Sequence, residues 1–269
     1  MPNKTIVITG ASSGIGAGIA RRLAADGHTL VLCARRQAEL ETVTNEINSN
    51  GSRALAVVAD ATVGTELQAV ATTAIDSLGG FDVWINNAGQ GMTRSVLELT
   101  DVDIDDMMSV NLKSALHGMQ IAAGYFISRG PEVAGHIINV SSFLARVPLA
   151  THRAAYNAAK AALNSLTANL RMDLRKMHPN IHVSLVMPGM VATEFGKNAV
   201  YAPADAQVYS GAWVQSVEDV AEMFAQLIQN PVAEVYTNPR SAQMVEEYYA
   251  DVEGYEARGI TWGSGSAAR

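Results

Sequence analysis

Tyr156 and Lys160 are the residues whose types and spacing most directly suggest chemistry. They lie four residues apart in the stretch His152–Leu163, and four-residue spacing on a helix points two side chains the same way. A free tyrosine titrates near pH ~10, so at neutral pH it is an inefficient acid or base unless a nearby cation favours the phenolate. The ammonium of Lys160 can be that cation. The same spacing also occurs by chance in many helices, where it means a half-buried ring beside a solvated amine.

A glycine-rich turn near the N-terminus offers a place for phosphate groups. The apolar run Thr5–Thr9 leads into Gly10-Ala-Ser-Ser-Gly-Ile-Gly16, which predicts a strand, a turn and the start of a helix. Gly10 permits a sharp exit from the strand, Gly14 lets main-chain N–H groups approach a pyrophosphate, and Gly16 lets the helix pack closely on the sheet. This spacing differs from the Gly-x-Gly-x-x-Gly of the generic dinucleotide fingerprint, and alone it also fits a flexible loop.

Three further motifs follow this turn along the chain. Asn86-Asn-Ala-Gly89 follows one apolar run, a serine precedes Tyr156-x-x-x-Lys160, and Pro188-Gly189 follows a later apolar run. Together with Thr9-Gly-x-x-x-Gly-x-Gly16, these motifs resemble those of the short-chain dehydrogenase/reductase family, in the family's order. The resemblance covers residues 4 to about 237, and the joint occurrence of four motifs is far more specific than any one of them.

Seven apolar runs rich in β-branched residues predict strands, with helical patterns between them. The runs are Thr5–Thr9, Thr29–Cys33, Ala54–Ala59, Val83–Asn86, His136–Val140, His182–Met187 and Glu234–Tyr236. Short hydrophobic strands that alternate with helices indicate an α/β, doubly wound Rossmann fold, in which helices cover both faces of a parallel sheet. The family resemblance implies seven strands in the order 3-2-1-4-5-6-7. Ligands of such sheets bind at the carboxyl ends of the strands, where these motifs fall.

We expect residues 1–240 to form one domain for dinucleotide binding and catalysis, with a substrate loop at about 194–215. Residues 241–269 are predicted to be a C-terminal extension that covers the pocket or reaches a neighbouring subunit. Its parts are predicted to be a helix over Ser241–Val252, a turn region over Gly254–Gly263 and a frayed end over Ser264–Arg269.

Two long helices are predicted at about Asp101–Ser128 and His152–Met177, and both carry Ala, Leu and Met on more faces than one sheet can bury. They resemble the family's subunit-interface helices, so we expect a homotetramer or a homodimer.

Composition disfavours several classes of protein. The chain has 269 residues, of which 48% are hydrophobic and 17% charged, with a formal net charge of -7, which favours a globular protein over one that binds nucleic acid or an anionic membrane. Neither a signal peptide nor a membrane-spanning stretch is recognisable, so a cytoplasmic protein is expected. The single cysteine, Cys33, is predicted to be a buried hydrophobe, and the histidine spacing predicts no metal site.

The residues after the second strand indicate the cofactor. Ala34 occupies the position where an acidic residue would accept the ribose hydroxyls of NAD. Arg35 and Arg36 follow it, and a guanidinium there can pair with a 2′-phosphate. The pattern therefore favours NADP(H), although two adjacent arginines also fit a solvated helix start. Ser13 stands where a second basic residue would strengthen the preference, so discrimination between the two cofactors can be incomplete.

The family resemblance implies the remaining cofactor contacts. Asp60 and the Ala61 main chain would bind the adenine, with a helix N-cap as the alternative role for Asp60. The main chain of Val191 and the hydroxyl of Thr193 would hold the nicotinamide carboxamide. Further contacts fall on the glycine-rich turn, the Asn86–Gly89 loop, the catalytic pair and the proline turn, namely Gly10, Ser12, Ser13, Gly14, Ile15, Gly16, Asn87, Ala88, Gly89, Tyr156, Lys160, Pro188 and Gly189.

Four residues are expected to carry catalysis. Tyr156 would be the acid or base, and Lys160 would lower its pKa and bind the nicotinamide ribose. Ser142 would hydrogen-bond the substrate oxygen, with Ser141 as the alternative. Asn111 matches the family's fourth member, which binds a water that links Lys160 to solvent. Ser142 lies one residue further from Tyr156 than is commonest in the family, so the loop between them is expected to carry an insertion.

The predicted substrate pocket is mostly apolar. It comprises Met92, Phe143, Leu144, Met190, Phe195 and Tyr201. Arg94 and Arg146 could reach an anionic group on a substrate, although solvated surface is the commoner role for such residues. We therefore expect an NADPH-dependent carbonyl reductase, reversible as an alcohol dehydrogenase, that acts on an apolar or aromatic ketone or secondary alcohol. A catalytically silent NADP-binding regulator and an epimerase or lyase on the same scaffold are the alternatives.

Overall fold

The computed structural model describes residues 3–211 and 213–258. Its strands are β1 (Thr5–Thr9), β2 (Thr29–Ala34), β3 (Arg53–Val58), β4 (Val83–Asn86), β5 (Gly135–Val140), β6 (Ile181–Met187) and β7 (Glu234–Tyr236). They pair in parallel in the order β3-β2-β1-β4-β5-β6-β7. The predicted fold class and strand order are confirmed.

The helices flank this sheet, and one of them is interrupted. They are α1 (Gly14–Ala25), α2 (Gln37–Ser49), α3 (Gly64–Leu78), α4 (Asp101–Met108), α5 (Ser114–Ser128), α6 (Ala154–Arg175), α7 (Val217–Gln229), α8 (Pro239–Ala250) and α9 (Val252–Ala257). A π-helical turn, Ser109–Lys113, joins α4 to α5. None of the helices in the described part of the chain is both long and apolar enough to cross a lipid bilayer.

The central strands are largely apolar because both faces of the sheet are covered. Ile6 and Ile8 of β1 belong to one buried cluster, which includes side chains of α1, α2 and α7. Val7, between them, faces the opposite cluster, which includes side chains of α3, α5 and α6. Successive residues of a strand point to opposite faces, so a centrally placed strand needs apolar residues at every position.

Element boundaries differ slightly from those predicted. The third strand was expected at Ala54–Ala59 and lies at Arg53–Val58, and the second strand extends one residue further, to Ala34. The helix predicted from Asp101 to Ser128 contains the π turn. Cys33 is fully buried, and burial raises its pKa to about 12, as befits an inert core thiol.

The C-terminal extension is more ordered than the sequence suggests. The turn predicted to begin at Gly254 is wrong for the described residues, because Gly254 lies within α9. The Asp251 side chain accepts a hydrogen bond of 2.9 Å from the Gly254 main-chain N–H and so caps this helix. The remainder of that prediction, and the frayed end predicted for Ser264–Arg269, lie outside the described residues.

Aromatic side chains attach the extension to the domain. Tyr248 of α8 and Tyr255 of α9 form a buried cluster with Phe143 and Val147, which lie just after β5. The rings of Tyr248 and Tyr255 meet edge to face, with their centroids 5.7 Å apart. The extension therefore packs behind the loop that follows β5.

Tyr255→Ala should lower the free energy of unfolding by about 3 kcal/mol, because it removes a side chain that is only 1% exposed from this cluster. Urea denaturation would measure the change. The matched control is Tyr249→Ala, since the Tyr249 side chain is 60% exposed and its loss should cost less than about 1 kcal/mol. A loss in Tyr255→Ala no larger than that in Tyr249→Ala would show that the buried Tyr255 side chain adds nothing to folding stability.

Candidate active site

The carboxyl ends of the parallel strands open into a cavity of about 870 Å³. The glycine-rich turn after β1 and the arginines after β2 line one part of it, and residues after β5 and β6 line another. Its volume lies within the range typical of small-molecule and cofactor sites. The position is the one expected for the ligand of a doubly wound sheet.

Close main-chain approaches shape the glycine-rich turn. A Cβ on Gly16 would clash with the Gly10 carbonyl oxygen and lie 2.5 Å from Asn87 Nδ2, and Gly10 has a φ of +65°. Asn87 Nδ2 donates hydrogen bonds of 3.0 and 3.1 Å to the carbonyls of Thr9 and Gly10. Because these carbonyls are satisfied by Asn87, the turn is held with its glycines beside the cavity.

The arginines after β2 lie next to this turn. Arg36 Nη2 donates hydrogen bonds of 2.6 Å to Ser13 Oγ and 3.1 Å to Ser12 Oγ. Arg35 Nη1 lies 3.7 Å from a carboxylate oxygen of Asp60. Both arginines line the cavity, so this corner carries positive charge with hydroxyl groups beside it.

Asp60 stabilises the chain after β3. Its Oδ1 accepts hydrogen bonds from the main chain and the hydroxyl of Thr62, 2.9 and 2.8 Å long. The pKa of Asp60 is lowered overall: burial acts to raise it, but the Thr62 hydrogen bonds and Arg35 outweigh that effect. The N-cap of α3 is Val63, so the alternative role of Asp60 as that helix's N-cap is wrong.

Ser142 and Tyr156 meet at the floor of the cavity. Ser142 ends the segment after β5, where its hydroxyl hydrogen-bonds the Tyr156 side chain and accepts a bond of 3.2 Å from the Leu144 main-chain N–H. Ser141 instead donates to Asn164 Oδ1 at 2.5 Å and to the Lys160 carbonyl at 3.2 Å. The geometry therefore favours Ser142 over Ser141 as the partner of Tyr156.

Tyr156 and Lys160 are both deeply buried, and burial acts on them in opposite directions. It raises the pKa of Tyr156 to about 12, an effect reduced by the Ser142 hydrogen bond and by the charge of Arg153. It lowers the pKa of Lys160 to about 8. Lys160 Nζ donates a 2.8 Å hydrogen bond to the Val140 carbonyl and lies 5.9 Å from the centre of the Tyr156 ring. The groups found to lower the pKa of Tyr156 are thus Ser142 and Arg153.

Asn111 lies in the π turn and is completely buried. Its side chain exchanges two hydrogen bonds with the main chain of Gln90, which are 2.9 and 3.2 Å long. A Cβ on Gly89 would lie 2.9 Å from Asn111 Oδ1 and 3.4 Å from Lys160 Nζ, so both side chains approach the same glycine. A π turn within a helix is often found at a functional site.

Most of the predicted site residues line the cavity. Of the catalytic set, Ser142, Tyr156 and Lys160 do so, whereas Asn111 lies beneath the wall. Every predicted cofactor residue lines it except Ser12, Asp60, Ala61 and Ala88. Ser12 nevertheless touches Arg36.

The predicted substrate residues divide into two groups. Phe143, Leu144, Met190 and Phe195 line the cavity. Met92 instead packs in a buried cluster with Met107, and Tyr201 lies under the guanidinium of Arg94, 3.8 Å from its Cζ to the ring centre. These two predictions are corrected: neither side chain is on the cavity wall.

Arg153 and Tyr209 line the cavity and were missed by the sequence reasoning. Arg153 precedes Tyr156 by three residues, and that spacing on a helix was the available signal. Tyr209 lies in a loop without a recognisable motif. Two further residues of this part of the wall, Gln90 and Gly91, follow the Asn86–Gly89 motif.

The chain residues fit a dinucleotide. The glycine-rich turn forms a cradle on the cavity wall, and a Cβ at Gly16 would clash with the Gly10 carbonyl and distort it. The turn continues directly into the N-terminus of α1, where main-chain N–H groups favour phosphate. Arg36 and Ser13 lie at one side of this cradle and Ser142, Tyr156 and Lys160 line the same cavity. No group of three or more His, Cys, Asp or Glu side chains within residues 3–211 and 213–258 is placed to hold a metal ion.

The family model for short chain dehydrogenases matches residues 4–203. The chain belongs to this family. A curated relative of this short chain dehydrogenase, the uncharacterized oxidoreductase YxnA of Bacillus subtilis, is 32% identical over 237 residues. That match covers 88% of the chain and 65% of the relative, so the chain spans just under two thirds of the relative's length.

Solved structures of short chain dehydrogenases are also similar to this chain. A short chain dehydrogenase/reductase from Burkholderia phymatum in complex with NAD superposes with a TM-score of 0.83 at 27% identity, covering 93% of this chain and 94% of that one. A short chain dehydrogenase from Burkholderia cenocepacia in complex with NADP gives a TM-score of 0.77 at 26% identity, covering 97% and 98%. Similar structures therefore hold either dinucleotide, so the likeness alone does not indicate a preference for NAD or NADP.

Lys160→Met should stabilise this short chain dehydrogenase at pH 7, by up to about 3 kcal/mol. Below about pH 8 the folded wild type must bury an ammonium, a cost that Met avoids. As the pH rises from about 8 towards 10.5, where a lysine side chain in water titrates, the folded wild type loses its proton before the unfolded chain does. Wild-type stability should therefore rise across this window, and the advantage of the variant should shrink.

Urea denaturation at pH 7 and pH 9.5 would measure this difference. Lys176→Met, at an exposed position, is the matched control and should show the same stability relative to wild type at both pH values. A Lys160→Met advantage that is equally large at pH 9.5 would contradict the burial of a charged Lys160.

Proposed function

We propose that this protein is an NADP(H)-dependent carbonyl reductase, reversible as an alcohol dehydrogenase. The observation that carries the proposal is the contact of Ser142 with Tyr156, beside Lys160, in the cavity that the glycine-rich turn also lines. When bound, the nicotinamide supplies or accepts the hydride. The chain supplies the proton chemistry and the positioning of the reacting oxygen.

Tyr156 gives its phenolic proton to the substrate oxygen during reduction and takes it back during oxidation. Because burial raises the pKa of Tyr156 to about 12, the phenol is protonated at neutral pH and has a proton to give in the reductive direction. Ser142 and Arg153 act against this rise, and so make the proton easier to donate. Ser142 hydrogen-bonds the same oxygen and stabilises the charge that develops there. Lys160, fixed on the Val140 carbonyl, provides a positive charge beneath the ring at neutral pH.

The preference for NADP(H) is supported by Arg36. Its guanidinium is fixed on Ser13 and Ser12, at the side of the phosphate cradle. Ala34, at the end of β2, provides no carboxylate to repel a 2′-phosphate or to accept ribose hydroxyls. Each arginine lies near one carboxylate, Arg35 at 3.7 Å from Asp60 and Arg36 at 3.6 Å from Glu39. Only Arg36 also bonds the serine hydroxyls of the glycine-rich turn, so Arg36 is the better candidate for the phosphate contact.

An assembly of two or four subunits is also proposed. Large apolar side chains are exposed on the helices expected to form subunit interfaces: Val102 on α4 is 66% exposed, Ile127 on α5 40%, and Met172 on α6 61%. Exposed apolar surface of this kind favours burial against another copy.

The proposed function is tested by following nicotinamide absorbance with a panel of aromatic and aliphatic ketones. Tyr156→Phe should lower kcat by at least about 100-fold, because it removes the proton donor but preserves the ring. Tyr249→Phe, the same change at an exposed tyrosine that does not line this cavity, is the matched control and should retain turnover. Undiminished turnover in Tyr156→Phe would exclude Tyr156 as the acid. Product formation without any net change in nicotinamide absorbance would favour the epimerase or lyase alternative.

Arg36→Gln should lower the ratio of kcat/KM with NADPH to that with NADH by about 10- to 100-fold, as expected for loss of a charged hydrogen bond. Steady-state kinetics with each cofactor measure the ratio. The control is Arg22→Gln, because Arg22 pairs with Glu222 on α7 instead, and its ratio should stay at the wild-type value. A ratio unchanged by Arg36→Gln would remove the phosphate contact from Arg36.

A further inference from the structure

Three arginines lie on the segments around the substrate end of the cavity, and two of them have a carboxylate partner. Arg94 pairs with Asp103 at 2.7 Å, and Arg146 pairs with Glu234 at 2.9 Å. Within the described residues, Arg153 forms no ion pair, although only 6% of its surface is exposed. A buried cation without an anion is costly, because burial removes its hydration and nothing replaces the opposite charge.

The hydrogen bonds of Arg153 leave much of its donor capacity unused. Nη1 donates to the Met92 carbonyl at 3.4 Å, and Nη2 donates to the Tyr209 hydroxyl at 3.3 Å. Both contacts are long, and a guanidinium has five N–H donors in a planar fork. The guanidinium also lines the cavity, so donors remain for a group that enters it.

The surrounding chain makes room for this side chain and fixes its position. Arg153 is the N-cap residue of α6, and its main chain pairs with that of Arg94. A Cβ on Gly91 would lie 2.7 Å from Arg153 Nη1, so any larger residue there would displace the guanidinium. The site is therefore built by three separate segments of the chain.

Arg153 also lies near the reacting group. It precedes Tyr156 by three residues, on the same face of the chain entering α6, and its charge acts on the Tyr156 phenol. The nearby cavity walls are apolar: the Phe195 ring centre lies 5.5 Å from that of Tyr156, and Leu144 and Met190 line the same cavity. The carboxylate of Glu194, on this wall, is paired with Lys197 at 3.4 Å.

We propose that Arg153 binds a carboxylate of the substrate, so that the protein reduces apolar or aromatic oxo acids and oxidises the matching hydroxy acids. This inference rests on the proposed carbonyl reductase function and names its substrate class. A single planar fork between apolar walls suits a planar monoanion better than a phosphate, which carries more charge and needs more donors. In reduction, hydride from NADPH forms the new C–H bond at the ketone carbon, and the Tyr156 proton forms the new O–H bond. The carboxylate is unchanged.

The test compares 3-benzoylpropionate and 4-benzoylbutyrate with their methyl esters, which are neutral but otherwise alike. Wild-type kcat/KM should be at least about 10-fold higher for an acid than for its ester. Arg153→Met should lower kcat/KM by roughly 100-fold for the acid and by less than about threefold for the ester. Arg146→Met, which removes an arginine already paired with Glu234, should leave both values within about threefold.

The kinetic results distinguish failure of the carboxylate-binding proposal from failure of the proposed carbonyl reductase function. If wild type reduces the esters and the acids equally well, or if Arg153→Met slows both equally, carboxylate binding is overturned and the reductase function stands. In the second case Arg153 acts by positioning Tyr156. If neither acids, esters nor simple ketones are reduced, the proposed function itself fails.

Calorimetry gives a readout that does not depend on turnover or on the folding of a variant. Wild-type protein titrated with 3-benzoylpropionate should bind it at least about 10-fold more tightly than the corresponding neutral amide. Inorganic phosphate should compete weakly. Equal affinity for the acid and the amide would overturn the inference. If Arg153→Met does not fold, Arg153→Lys should keep part of the preference for the acid, since charge remains and the fork is lost.

Discussion

The side-chain amide of Asn87 joins the carboxyl ends of the two central strands. It bonds the carbonyls of Thr9 and Gly10, while the Thr9 hydroxyl accepts the main-chain N–H groups of Asn87 and Ala88, each at 3.0 Å. These bonds set how β1 leaves the sheet and how closely α1 begins behind it. The same connection positions the phosphate cradle. It also positions the chain from Gly89 to Gly91, which contacts Lys160 and Arg153.

Burial provides the chemistry of the site at a cost to stability. Because Tyr156 and Lys160 lie in a low-dielectric environment, the phenol keeps its proton more firmly than in water and the ammonium keeps its proton less firmly. Arg153 adds a second buried cation beside them. Such concentrations of costly polar groups persist where function requires them, and the apolar sheet beneath supplies the compensating stability.

The sheet was predictable because burial on both faces makes its central strands largely apolar. The catalytic pair was predictable because a helix converts a spacing of four residues into proximity. The surroundings of Arg153 were not predictable in this way. In sequence it resembles a solvated arginine at a helix start. Its burial depends on the small size of Gly91 and on pairing with the chain near Arg94, about sixty residues away.

Specific side-chain contacts also explain the wrong predictions for Tyr201 and Gly254. Tyr201 was assigned to the pocket because it lies within the predicted substrate loop, at about 194–215, whereas stacking on Arg94 holds it elsewhere. Gly254 suggested a turn from its residue type alone, and the Asp251 cap made it part of a helix. In both cases a specific side-chain partner outweighed local preference.

The cluster of Phe143 and Val147 with Tyr248 and Tyr255 also affects the order in which the protein matures. During synthesis the strands and the catalytic pair emerge well before residue 255, yet Phe143, which lines the cavity, lacks two of its packing partners until then. A nascent chain that already holds Tyr156 and Lys160 therefore has an incomplete wall beside them. Completion of this part of the cavity wall is thus one of the last events of biosynthesis, and premature termination would leave an exposed apolar flank beside the catalytic pair.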